Sequence, residues 1–167
     1  MPKLTKSINS NRDGQTALDR REALKLFGFG AVAATAGSLL STETAATPAS
    51  AKALLNKLSG STNYGSGKVS IKLPEIAENG AVVPITVSVD SPMTKASYVK
   101  AIHIAAELNP RPEVASFHLS PASGKAEVST RMRMAKTMNV VAVAVMNDGS
   151  VQRAVRKVKV TIGGCGG

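Results

Sequence analysis

Between residues 69 and 162 the apolar residues recur with a period of two, and this alternation limits the fold more than any other feature. Val69, Ile71 and Leu73 alternate with Ser70 and Lys72. Val83, Ile85, Val87 and Val89 alternate with Pro84, Thr86, Ser88 and Asp90. Val158, Val160 and Ile162 alternate with Lys157, Lys159 and Thr161. Such runs set one side chain row on a core and the next in water. Turn formers punctuate them: Pro74, Glu78-Asn79-Gly80, Asp90-Ser91-Pro92, Asn109-Pro110-Arg111-Pro112, Ser120-Pro121 and Asn147-Asp148-Gly149-Ser150. Further strands are predicted over 98–106, 114–119, 126–134, 140–146 and 151–162. Pro84 inside its run predicts an edge position or a bulge. Val155 is out of phase with Val158, which predicts a bulge near Arg156.

Residues 140–146, VVAVAVM, are apolar on both faces. A strand of this kind must be covered twice. Either it lies centrally under another element, or its second face meets a partner protein. Seven short strands with regular turn signals predict an all-β fold, an immunoglobulin-like antiparallel β-sandwich over 69–162. The core must be aliphatic, because aromatic residues make up only 3% and tryptophan is absent.

Before the strands, Leu54, Leu55 and Leu58 share one face of a short helix, and a Gly/Ser linker follows to residue 68. Residues 1–51 read as an export signal. Arg20-Arg21 precede Leu24 and Lys25 in a pattern that resembles the twin-arginine motif, with Ala23 where a bulkier Phe is common. The uncharged run 26–42 is rich in Ala and Gly. It is shorter and weaker than the ~20 strongly apolar residues of a membrane span. Thr44-Ala45-Ala46 and Ala49-Ser50-Ala51 both offer small-x-small cleavage sites, and 51 is taken as the boundary. No stable membrane anchor is expected, and the mature chain is expected in the periplasm.

The net charge of +10 does not come from the signal alone: residues 52–167 retain +8. Nucleic acid is not expected as a partner, since base-stacking aromatics are scarce and basic residues are dispersed. Arg131, Arg133, Arg153, Arg156, Lys157 and Lys159 fall on the last three strands, either as a solvated face or as a docking surface for acidic partners. His103 and His118 lack ligand spacing, and a copper site would need a further cluster of Cys, His and Met. Both histidines are assigned structural or surface roles, and no metal is expected. No catalytic residue is expected either: no nucleophile elbow, phosphate loop or carboxylate pair is present.

The chain ends Gly163-Gly164-Cys165-Gly166-Gly167, with its sole cysteine among four glycines. One cysteine excludes an internal disulfide framework. Glycines supply a thin arm with no side chains to pack. From Ile162 the arm carries the thiol at most about 10 Å.

This tail resembles the carboxy-terminal sulfur-binding motif of the SoxY family, carriers of the bacterial thiosulfate-oxidising Sox system. Pro74-Glu75-Ile76-Ala77-Glu78-Asn79-Gly80, Val83-Pro84, Asn109-Pro110, Ser129-Thr130-Arg131-Met132-Arg133 and Val160-Thr161-Ile162 are also similar to that family's motifs. The resemblance implies a covalent carrier rather than an enzyme, without a resident cofactor. Thiosulfate-derived intermediates would be held on Cys165, with Gly163, Gly164, Gly166 and Gly167 as a swinging arm. It also implies a heterodimer with SoxZ and transient visits to SoxAX, SoxB and, where present, SoxCD. Two rivals remain: a Gly-Gly thiocarboxylate carrier using Gly166-Gly167, and an exported sandwich dimerised through Cys165.

Overall fold

The computed structural model describes residues 46–164. The chain enters through helix α1 (Pro48–Ser59), four residues earlier than Lys52. Thr47 explains the early start. Its hydroxyl accepts from the Ser50 amide at 3.2 Å, Ser50 caps reciprocally, and Pro48 opens the first turn where its missing N–H costs nothing. Gly60 ends the helix in the left-handed conformation. The expected boundary at residue 51 therefore falls inside the helix, on a buried alanine. Among the described residues, no helix is long and apolar enough to cross a membrane.

Eight strands follow: β1 (Val69–Lys72), β2 (Ile76–Asn79), β3 (Val83–Val89), β4 (Val99–Ala106), β5 (Glu113–His118), β6 (Glu127–Met132), β7 (Met138–Met146) and β8 (Val151–Ile162). They form a three-stranded sheet, β1-β3-β6, and a five-stranded sheet, β2-β8-β7-β4-β5. The inward rows of both sheets meet in one core: Val83, Ile85 and Val87 from the first, Ile102, Ile104, Val140, Ala142 and Val158 from the second. The all-β sandwich is as expected. The extra strand is β2, which pairs parallel with β8, so the sandwich is not wholly antiparallel. Its four residues are too short to show a period. The turn begins at Asn79, whose side chain accepts from the Ala81 amide.

Of two local expectations, the edge position of Pro84 holds and the bulge near Arg156 does not. Pro84 sits on β3, the central strand of its sheet, but β1 pairs only as far as Thr86. At Pro84 the strand is an edge, and the missing donor is tolerated there. No bulge occurs near Arg156, because β7 and β8 pair in unbroken register from Met138–Val158 to Val145–Val151. Val155 simply faces outward, on the opposite side from Val158.

The apolar second face of β7 is covered by this chain itself. Ala51 and Leu55 of α1 pack with Ala105, Val141, Val143 and Val151, and Tyr64 joins them. Of the two alternatives for residues 140–146, coverage by another element is realised. The Gly/Ser linker is not free either. Gly65 pairs with β8 through Val151 and Arg153, Tyr64 bonds the Asn56 side chain, and Arg153 lies over the Tyr64 ring.

Candidate functional site: the root of the carboxy-terminal arm

β8 runs straight into the arm, and three backbone segments close around the point where it ends. Gly80 donates to the Ile162 carbonyl at 2.7 Å. The Met134 amide donates to the Gly80 carbonyl at 2.8 Å, and Gly164 donates to the Met134 carbonyl at 2.9 Å. The turn after β2, the β6–β7 connection and the end of β8 are thus tied in one knot.

Only glycine fits here. A Cβ on Gly80 would lie 2.2 Å from the Met134 carbonyl oxygen. One on Gly163 would lie 2.1 Å from the Ala135 carbonyl oxygen, and one on Gly164 would lie 2.6 Å from that of Gly80. All three clash with backbone, which cannot rotate away as a side chain tip can. Gly163 and Gly164 were expected as half of a swinging arm. The structure places both in a backbone crossing, with Gly164 buried. Gly80 was read only as a turn residue. The signal that could have found it was pairwise: a second tight glycine needed opposite the glycines of the tail.

Asn109 braces the crossing from behind. It is only 4% exposed; its amide donates to the Arg133 carbonyl at 2.7 Å, and its Oδ1 accepts from Ala135 at 3.1 Å. The Asn109-Pro110 motif therefore sets the β6–β7 connection against which the arm is tied. Cys165, Gly166 and Gly167, like the export pair Arg20 and Arg21, lie outside the described residues.

The histidines stand apart from this end. His103, buried on β4, shares a 2.8 Å hydrogen bond between Nδ1 and the Ser116 hydroxyl, which donates to Glu113. His118 meets it edge-on. Burial lowers the His103 pKa, His118 lowers it further, and Glu113 opposes both. The six basic residues do not form one surface. Arg131 and Arg133 belong to the three-stranded sheet's side of the molecule; Arg153, Lys157 and Lys159 face outward from β8.

The motif-bearing segments 74–84, 109–110, 129–133 and 160–164 include every residue tied at the arm root except Met134 and Ala135. A protein-family model described as "Sulfur oxidation protein SoxY" matches residues 55–165, ending on Cys165. The chain belongs to the SoxY family. It is similar to the sulfur carrier protein SoxY from Chlorobium limicola f thiosulfatophilum, with 45% identity and a TM-score of 0.56, over 66% of this chain and 94% of that one. Superoxide reductase (neelaredoxin) from Ignicoccus hospitalis is 19% identical with a TM-score of 0.51, covering 56% of this chain and 80% of that one. At that identity the likeness extends to the sandwich fold alone. No curated protein matches the sequence. Membership of SoxY places the chain among sulfur carrier proteins of sulfur oxidation.

Proposed function

We propose that this SoxY-family chain carries thiosulfate-derived intermediates covalently on Cys165 in the periplasm. The observation that carries the reading is the sole cysteine, one residue beyond the tied Gly164. Loading joins the Cys165 sulfur to the outer sulfur of thiosulfate; one proton leaves, and two electrons pass to the haem enzyme, SoxAX in the family. Water then cleaves the terminal sulfone as sulfate, through SoxB, and leaves a persulfide on Cys165. SoxCD, where present, oxidises that sulfane sulfur. SoxZ is the proposed partner subunit.

The reading is tested by the intact mass of exported protein from cells given thiosulfate. A thiosulfate-sized increment that reductant removes, and that Cys165→Ser abolishes, is the expected result. Unmodified wild-type protein throughout active thiosulfate oxidation would refute it. Export is tested separately: Arg20→Lys with Arg21→Lys should leave uncleaved chain in the cytoplasm, and normal periplasmic accumulation would refute the twin-arginine route.

A further inference from the structure

Strand β6 ends its sheet: it pairs with β3 and, among the described residues, with no strand beyond. The pairing decides which backbone groups are left over. The Ala126 carbonyl accepts from the Val89 amide, so it turns toward β3. Register is unbroken from Ser88–Glu127 to Val83–Met132. Val128, Thr130 and Met132 therefore also turn toward β3, and Ser129, Arg131 and Arg133 turn away. Asn109 shows what this outer edge accepts. Its side-chain amide donates to the Arg133 carbonyl at 2.7 Å and accepts from the Ala135 amide at 3.1 Å. One carboxamide makes the two bonds that a residue of a neighbouring strand would make. Beyond it, the edge at Ser129 and Arg131 is open.

The space beside this edge has a definite chemistry. A groove runs between β6 and the start of β5, over Val114 and Met132. Arg111, Arg131 and Arg133 line it against one acid, Glu113, whose carboxylate is taken by the Ser116 hydroxyl at 2.9 Å. Arg131 and Arg133 are two residues apart and both exposed, while Met132 between them turns into the core. Open strand edges receive extended segments through main-chain bonds, and side chains at alternate positions select among them. Guanidinium pairs strongly with carboxylate. We propose that the outer edge of β6 is a docking site for an extended acidic segment of a partner protein, added as a further strand. Two carboxylates, two residues apart, meet Arg131 and Arg133, and the apolar residue between them covers Val114 and Met132. Arg111 adds a third cation from the β4–β5 connection. A second copy of this chain does not fit, because nowhere in its sequence are two acids spaced two residues apart. The site does not depend on Cys165 and stands apart from the carrier reading.

The probe is a fluorescein-labelled peptide, Thr-Thr-Asp-Val-Asp-Thr-Thr, titrated at low salt against the exported chain under reductant, with Kd read from anisotropy. Arg131→Gln with Arg133→Gln should weaken binding at least 10-fold. Setting the acids side by side, as Thr-Thr-Asp-Asp-Val-Thr-Thr, should do the same. Both arginine side chains are exposed, so urea unfolding should find the variant as stable as wild type. In the complex the amides of Ser129 and Arg131 should exchange with solvent more slowly, while those of Val128 and Thr130, already turned to β3, should not change. No saturable binding, a variant or rearranged peptide within twofold of the original, or unslowed exchange at Ser129 and Arg131 overturns the proposal. Displacement of the peptide by sulfate, but not by chloride at equal ionic strength, also overturns it and assigns the arginines to a small oxyanion. Self-association of the chain that the peptide dissolves overturns it in favour of a second copy.

Discussion

Replacing Gly80 by alanine should damage this protein more than replacing Gly164 or Gly166. The added methyl would sit 2.2 Å from the Met134 carbonyl oxygen and 2.8 Å from the Gly164 amide nitrogen. Both are backbone atoms, and the Met134 carbonyl lies in a segment held between β6 and β7, so the crossing must open. Three hydrogen bonds meet there: Gly80 to Ile162, Met134 to Gly80 and Gly164 to Met134. At a net value of about 1 kcal/mol each, their loss amounts to about 3 kcal/mol. For a domain of this size that lowers Tm by roughly 10 °C. Gly164→Ala has an escape that Gly80→Ala lacks. The tail can peel away, sacrificing its single bond, so the cost is capped near 1 kcal/mol. Gly166→Ala, beyond the crossing, should change stability by less than about 0.5 kcal/mol. Urea unfolding monitored by circular dichroism measures all three, with an unchanged m-value confirming that the same transition is compared. If Gly80→Ala and Gly164→Ala both fall within 0.5 kcal/mol of wild type, roughly the span of an ordinary surface change, the crossing does not hold the arm and the reasoning is wrong.

Other consequences are open to measurement. Asn109→Ala leaves the Arg133 carbonyl and the Ala135 amide unpaired at a buried site, and should cost about 2–4 kcal/mol in urea unfolding. Leu55→Ala should cost about 2–3 kcal/mol and increase binding of a hydrophobic dye, because it uncovers Val141 and Val143. His103 binds its proton more weakly in the fold than in the unfolded chain, where the value lies near 6.5. Its contribution is therefore complete above that value and is lost as pH falls below it, so the urea midpoint should decline from pH 7 to pH 5 and His103→Gln should flatten the slope. The exported chain should begin at or before Thr47, since cleavage after Ala51 would remove the cap, the first turn and a buried residue of α1. Sequencing its amino terminus decides this.

Much of the sandwich was legible because a half-buried strand writes its environment as alternation. Val83 to Val89 and Val158 to Ile162 read correctly for that reason. The double coverage of β7 was also visible in VVAVAVM, but what covered it was not. A two-sided apolar strand reports that a second layer exists, not whether that layer is a helix or another protein. Strand β2 was missed because Ile76–Asn79 contains one buried residue, Ala77, and owes its existence to β8. The apparent phase slip at Val155 came from assuming that every valine points inward. At the arm root, composition misled. Glycine signals flexibility in a tail and close approach in a crossing, and a single sequence does not separate the two. The carbonyls of Gly80, Met134 and Ala135 show that the first glycine pair sits where a close backbone approach needs room.

Strand β8 also has a mechanical role. It is twelve residues long, laddered to β7 on one side and to β2 on the other, and Gly163 and Gly164 follow its end. A protein that grips Cys165 and withdraws pulls β8 lengthwise. Such a load is shared by both ladders at once, as shear, whereas a sideways pull would open bonds one after another. The first link to part is the lone Gly164–Met134 bond at the tip, and the ladders behind it remain under a distributed load. If Cys165 is the point a partner grips, the outermost bond would act as the fuse while the sandwich behind it keeps its register.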